Sequence, residues 1–239
     1  MKYAAYCGTR NIYADMEIAA RSLVANSDVD RVYFFIEDDE FPSNLPPIVQ
    51  CVNVSEQEYF PKGSANYDSK FTYMALMRAA LYKLLPEAEK VLSLDCDTIA
   101  VKECSHVWDI DVTDSYFAAT PEQWIKDRPG LIYCNIGVAL FNLEKLRDGK
   151  ADEIVNVLNS QYFKFVDQDA YNYLCQGRIT VMDSMYNANN YVIDSGKIPR
   201  IVHFAGTNDW RDNQEVLKYK DMPWSKVMEL HNDIQSRSA

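Results

Sequence analysis

The alternation of apolar and polar positions along the chain predicts short strands separated by helices. Residues 2–7, 31–37 (R-V-Y-F-F-I-E), 49–54 and 91–94 are brief β-branched or aromatic runs bounded by turn formers, as buried strands are. Between the first two, Met16, Ala19, Ala20, Leu23 and Val24 recur at helical spacing over 15–26, and Asn-Ser-Asp ends the run. Strand, helix and strand at this spacing form a βαβ unit. Such units in series predict an α/β fold, with a mixed, mostly parallel central sheet flanked by helices. Residues 69–85 read as the most regular helix, with Phe71, Met74, Ala75, Leu81, Tyr82 and Leu85 on one stripe and Pro86 past its end. Farther on, the pattern predicts a strand at 134–141, helices at 151–159 and 168–175, and short strands at 178–182 and 201–204. Loops are expected at 38–47, 121–130 and 186–199. Trp224, Val227, Met228 and His231 fall at helical spacing, so residues 1–222 read as one domain and 223–239 as a helical tail. That tail is expected to pack on the domain; an interfacial helix beside a lipid-linked acceptor is the alternative.

Composition narrows the function classes. At 239 residues with 48% hydrophobic and 25% charged positions, the chain fits one globular domain rather than a disordered or fibrous protein. Asp and Glu total 35 against 24 Lys and Arg, a net charge of −11 that would repel a phosphate backbone, so no nucleic-acid partner is expected. An anionic small ligand would need a metal or a local cation. No run approaches the roughly 18–20 apolar residues of a membrane-spanning helix. The start, M-K-Y-A-A-Y-C-G, leads straight into a strand pattern with Arg10 behind it, which does not read as a signal peptide. The six cysteines form no C-x-x-C pair, so we expect no zinc ribbon and reduced thiols in a cytoplasmic protein whose membrane contact is at most peripheral.

Candidate chemistry concentrates in K-V-L-S-L-D-C-D-T, residues 90–98. A hydrophobic strand ends in Asp95 and Asp97, and residues two apart on an extended chain point to one side. Two like charges there call for something positive between them, and a divalent cation meets the need. A turn in which one Asp caps a backbone N–H also fits an isolated D-x-D. His203 stands alone in the apolar run I-V-H-F-A-G; it reads either as a hydrogen-bonded core residue or as a third ligand that tilts the choice from Mg2+ toward Mn2+. Gly206 would let a phosphate approach the backbone. Arg78 lies on the apolar stripe of the 69–85 helix, so it must meet an anion, either a structural carboxylate or a diphosphate.

Six blocks in order resemble the retaining glycosyltransferases of family 8: A-Y-C-G-T-R-N-I-Y with I-A-A-R-S-L, T-Y-M-A-L-M-R-A, V-L-S-L-D-C-D-T-I, Y-C-N-I-G-V-A-L-F-N-L, D-Q-D-A-Y-N and H-F-A-G-T-N-D-W. The resemblance runs over about residues 2–210 and implies a GT-A fold, a single Rossmann-like domain. It implies transfer of a hexosyl unit from a UDP-sugar to a glycan, lipid-linked or protein-linked acceptor, with retention of configuration and dependence on Mn2+, or Mg2+ as the alternative. By position, Asp95, Asp97 and His203 match the metal ligands, and Asp95 also meets the donor. Arg78 matches the donor-site arginine, Asn135 a sugar contact, Asp167 and Gln168 the pair lining the sugar pocket with Gln168 near the reacting face, Gly206 the glycine beside the phosphates, and Asn11 a residue near the nucleotide. Two departures stand out. The family's closing Lys-Pro-Trp is here Thr-Asn-Asp-Trp, which throws phosphate neutralisation onto the metal and Arg78 or Arg211, and Ile136 replaces a small residue at the sugar pocket. The missing lysine motivates a second reading, a non-catalytic sugar-nucleotide-binding module. A nucleotidyltransferase ranks last, because no Gly-rich phosphate loop appears near residues 7–10.

Overall fold

The computed structural model describes residues 1–122, 130–189 and 196–238. Strands β1 (Tyr3–Cys7), β2 (Arg31–Ile36), β3 (Val49–Asn53), β4 (Lys90–Leu94), β6 (Phe117–Pro121), β7 (Cys134–Asn142) and β8 (Ile179–Val181) form one seven-stranded sheet in the order β3-β2-β1-β4-β7-β6-β8. The pairs β3/β2, β2/β1, β1/β4 and β6/β8 are parallel, while β7 runs antiparallel to both β4 and β6. A separate antiparallel ribbon joins β5 (Thr98–Ala100) to β9 (Ile201–His203).

The continuous apolar strands are explained by burial on both faces. Ala4 and Tyr6 of β1 and Val32, Phe34 and Ile36 of β2 join a core with helix α1 (Tyr13–Ala25). Their alternating neighbours Tyr3, Ala5, Tyr33 and Phe35 join the opposite core. That second core is filled from α2 (Thr72–Leu76), α3 (Leu81–Leu84), α4 (Leu143–Leu146), α5 (Lys150–Ser160) and α6 (Val166–Leu174). The chain ends in α7 (Gln214–Lys220) and α8 (Trp224–Ser238). Helix α8 packs on α1: Val227 and His231 are buried, the Trp224 indole donates to Glu17 Oε1 at 2.8 Å, and His231 Nδ1 lies 2.8 Å from the Ser27 carbonyl. No helix among the described residues is long and apolar enough to cross a membrane.

Three expectations change. The 69–85 helix is broken into α2, a 3-10 turn at Met77–Ala80 and α3, and Phe71 is 42% exposed rather than on the buried stripe. Strands β5 and β6 were not expected, and the strand expected at 201–204 pairs with β5 outside the main sheet. Asp95 to Asp97 is a turn, not extended chain, closed by the Thr98 hydroxyl donating to the Asp95 carbonyl at 2.7 Å. The expected loops at 121–130 and 186–199 lie partly outside the described residues; the 38–47 segment is a loop.

Candidate active site

The site opens where β1 and β4 end and β7 begins, because an antiparallel β7 brings its first residues beside the carboxyl end of β4. Leu94 pairs with Val138, and the Asp95 N–H donates to the Gly137 carbonyl at 2.7 Å. The ribbon supplies the rest: Thr98 pairs with His203, and the Phe204 N–H donates to the Asp97 carbonyl at 3.0 Å. A strand more than a hundred residues downstream thereby carries its histidine onto the D-x-D turn.

His203 Nε2 lies 3.3 Å from Asp97 Oδ1 and 3.6 Å from Asp95 Oδ2, and one ligand atom from each of the three residues falls within 4.8 Å of the others. Burial alone would lower the His203 pKa, but the hydrogen bond and charge of Asp97, with Asp95 behind it, raise it. Gly137 makes the convergence sterically feasible. A Cβ there would collide with the imidazole and lie 2.7 Å from Asp95 Oδ2. Two carboxylates, one imidazole and a backbone cleared of side chain fit a divalent cation.

Arg78, buried in the 3-10 turn, spends its donors on this floor. Nε donates to Ser93 Oγ at 3.0 Å, Nη1 to Asp167 Oδ2 at 3.1 Å, and Nη2 to Asp95 Oδ1. Burial opposes the charge, yet Asp95 and Asp167 raise the Arg78 pKa, so it stays a cation. Burial likewise pushes Asp95 up, but Arg78 and then His203 hold it below the ordinary carboxylate range. Asp167 goes the other way: burial outweighs Arg78 and lifts it to about 6.

A break in β7 builds the adjoining wall. Ala119 of β6 pairs with Ala139 and Thr120 with Asn135, so Ile136 to Val138 have no partner on β6. The freed Ile136 N–H donates to Gln168 Oε1 at 3.3 Å, and Asn172 of α6 clamps both the N–H (2.6 Å) and the carbonyl (2.8 Å) of Cys134. Asn135 donates to Glu122 Oε1 at 2.8 Å. Glu122, Asn135, Ile136 and Gln168 of this wall line a cavity of about 580 Å³ with Arg78, Asp95, Asp97, Asp167 and His203.

At its mouth, Gly206 adopts φ +73° with open space where a side chain would stand. Trp210 stacks on Phe204 at 5.8 Å, and Arg211 lies over the Trp210 ring while both its Nε (2.8 Å) and Nη2 bond Asp15 of α1. The cavity therefore gathers Arg78, Asp95, Asp97, Asn135, Asp167, Gln168, His203 and Gly206 from the sequence-derived set. Asn11 is not among them: it is exposed in a 3-10 turn, accepting from the Thr9 hydroxyl, and its neighbours Ile12 and Asp15 line the cavity instead.

Four further residues carry the site and were not singled out from sequence. Ser93 left a trace, a polar residue inside a buried strand. Asp15 was read only as a helix start. Glu122 sits where a loop was expected. Asn187 sits in the second expected loop, and its amide meets both His203 and Asn135.

A sequence profile described as glycosyl transferase family 8 matches residues 39–214, well over half of the chain. A Haemophilus influenzae protein with a provisional glycosyltransferase name is 29% identical over 170 residues, covering 63% of this chain and 50% of that protein. General stress protein A of Bacillus subtilis is 22% identical over 174 residues, covering 66% of this chain and 61% of that protein. The chain thus spans between half and about three fifths of the length of these curated relatives. Among solved structures, the galactosyltransferase LgtC, crystallised with donor and acceptor sugar analogues, superposes with a TM-score of 0.72 at 18% identity, over 97% of this chain and 95% of that one. GlyE of Streptococcus pneumoniae gives 0.71 at 18% identity, over 99% of this chain and 64% of that one. At such identities the likeness bears on the fold alone. By its sequence profile the chain belongs to glycosyl transferase family 8, and its mixed sheet with flanking helices is the GT-A fold of those neighbours.

Proposed function

We propose that this chain is a glycosyltransferase that moves a hexosyl unit from a UDP-sugar to a glycan, lipid-linked or protein-linked acceptor, with retention at the anomeric carbon. The observation that carries the reading is the convergence of Asp95, Asp97 and His203 in one cavity with Arg78, Asn135, Asp167 and Gln168. Family membership supports sugar transfer, and the analogues bound to LgtC support the pairing of a donor with an acceptor.

Asp95, Asp97 and His203 would hold Mn2+, with Mg2+ the alternative; imidazole beside carboxylates favours the former. Bound there, the cation supplies positive charge against the negative charge that builds on departing UDP. The chain's own residues do the remaining work. Arg78 fixes Asp95 and Asp167, so that these carboxylates and the amides of Asn135 and Gln168 meet sugar hydroxyls as a set already in place. Gly206 leaves room for a phosphate at the backbone. Because Arg78 already turns three of its five N–H donors to Ser93, Asp167 and Asp95, Arg211, held at the mouth by Asp15, is a second cation for the diphosphate. The six free thiols support a reducing, cytosolic setting, with membrane contact at most peripheral.

Incubation with Mn2+ and UDP-glucose, UDP-galactose or their N-acetyl forms should release UDP from at least one donor, and Asp97→Ala should abolish that release. A thermal shift with these donors but no UDP product would favour the non-catalytic module. Unchanged turnover in Asp97→Ala would remove the cation from the reaction.

A further inference from the structure

The hydrogen bonds behind His203 leave one assignment open. The Gly137 N–H, a donor only, points at the Asn135 side chain at 2.9 Å, so the atom it meets is Oδ1, and Nδ2 donates to the Glu122 carboxylate at 2.8 Å. The Asn187 side chain then faces two acceptors, Asn135 Oδ1 at 3.0 Å and the Asn135 carbonyl at 3.3 Å, so it must present Nδ2 to them. Its Oδ1 is left facing His203 Nδ1 at 2.9 Å, and an acceptor there requires the ring to carry a proton on Nδ1. The amide orientations follow in sequence from one backbone donor.

The backbone holds this relay in place. The Ala188 N–H donates to the Ile201 carbonyl at 2.9 Å and the His203 N–H to the Ala188 carbonyl at 2.8 Å, which zips residue 188 onto β9 and sets Asn187 beside the imidazole. Both side chains are buried, Asn187 3% and His203 5% exposed, so water does not compete for Nδ1.

We infer that Asn187 is a positioning residue that fixes His203 in the Nδ1–H tautomer and so keeps the Nε2 lone pair aimed at Asp95 and Asp97 for a cation. Left to its carboxylate neighbours, the neutral ring would place its proton on Nε2, where Asp97 would accept it at 3.3 Å, and the ligand position would be blocked. The same relay ties Asn135, a proposed sugar contact, to the cation site through a shared amide. The consequence for cation binding rests on the reading above; the tautomer itself does not.

Both parts are measurable. With only three histidines in the chain, 15N-labelled imidazole spectra of the metal-free protein at alkaline pH, where the ring is neutral, should give His203 as the Nδ1–H tautomer. Asn187→Leu should move the proton to Nε2 and weaken Mn2+ binding, read by electron paramagnetic resonance of free Mn2+, by about 10–100-fold. Asn187→Asp keeps an acceptor facing Nδ1 and should preserve the tautomer, although it gives up the amide N–H that donates to Asn135. An Nε2–H tautomer in the wild-type protein would overturn the inference even if the leucine variant failed to fold, as would an unchanged tautomer in that variant. If wild-type protein held no Mn2+ while showing the Nδ1–H tautomer, the cation reading would fall and the Asn187 assignment would stand.

Discussion

Gly137 is where a single missing side chain decides what the cavity floor can do. Gly137→Ala would drive a methyl into the His203 ring and against Asp95, so the variant should weaken Mn2+ binding by at least tenfold and destabilise the fold by about 1–3 kcal/mol, as overpacking does. Titration with Mn2+ and chemical denaturation check the two effects. Asp167 provides a pH signature. Burial lifts it to about 6, whereas an unfolded Asp titrates near about 3.9, so the native state binds the extra proton between those values. Its contribution to stability is therefore full below about pH 4 and lost as pH rises through about 6. Relative to wild type, Asp167→Asn should gain on the order of 2 kcal/mol in unfolding free energy between pH 4 and pH 7, read from urea titrations across that range; parallel profiles would contradict the assignment. At this scale Asp95, Asp97 and His203 stood out in the sequence because each breaks an apolar run, and the family resemblance, not the run itself, marked them as ligands. Asn187 and Glu122 were not, since their meaning comes from partners 16 and 13 residues away that only the fold brings near.

Among the elements, those with a strong period were legible: β1, α1, β2 and β4 fall where the apolar pattern put them. Strand β9 was expected at 201–204, whereas the three-residue β5 is too short to show a period, and it is their pairing that delivers His203 to the D-x-D turn. The 69–85 helix was overread because its apolar stripe continues through a 3-10 turn, where Arg78 must reach Ser93, Asp95 and Asp167. Helix α8 was legible as an element, and its packing on α1 sets its role. A chain ending after Pro223 should lose the Val227, Trp224 and His231 contacts and melt roughly 5–10 °C lower. An unchanged melting temperature together with lost binding to lipid vesicles would instead favour an interfacial helix.

For the molecule as a whole, the architecture explains why the site stands where it does. Four parallel strands end on one side, an antiparallel β7 enters there, and the ribbon folds over the same edge, so residues from 7 to 211 line one cavity in a chain of net charge −11. On the proposed reading, such an acidic molecule would take an anionic nucleotide only where cations are concentrated, a demand that a cation held by the carboxylate and imidazole cluster would meet. The α/β class and this demand were readable from composition and pattern. The closing of the cavity by Trp210, Arg211 and Asp15 was not, because a contact between α1 and a segment almost two hundred residues later leaves no local trace. The most direct test is anomalous diffraction from crystals grown with Mn2+ and UDP. The account predicts one strong peak within roughly 2–2.5 Å of Asp95, Asp97 and His203 Nε2 with the diphosphate beside it. A fully occupied nucleotide with no peak between those three side chains would contradict it.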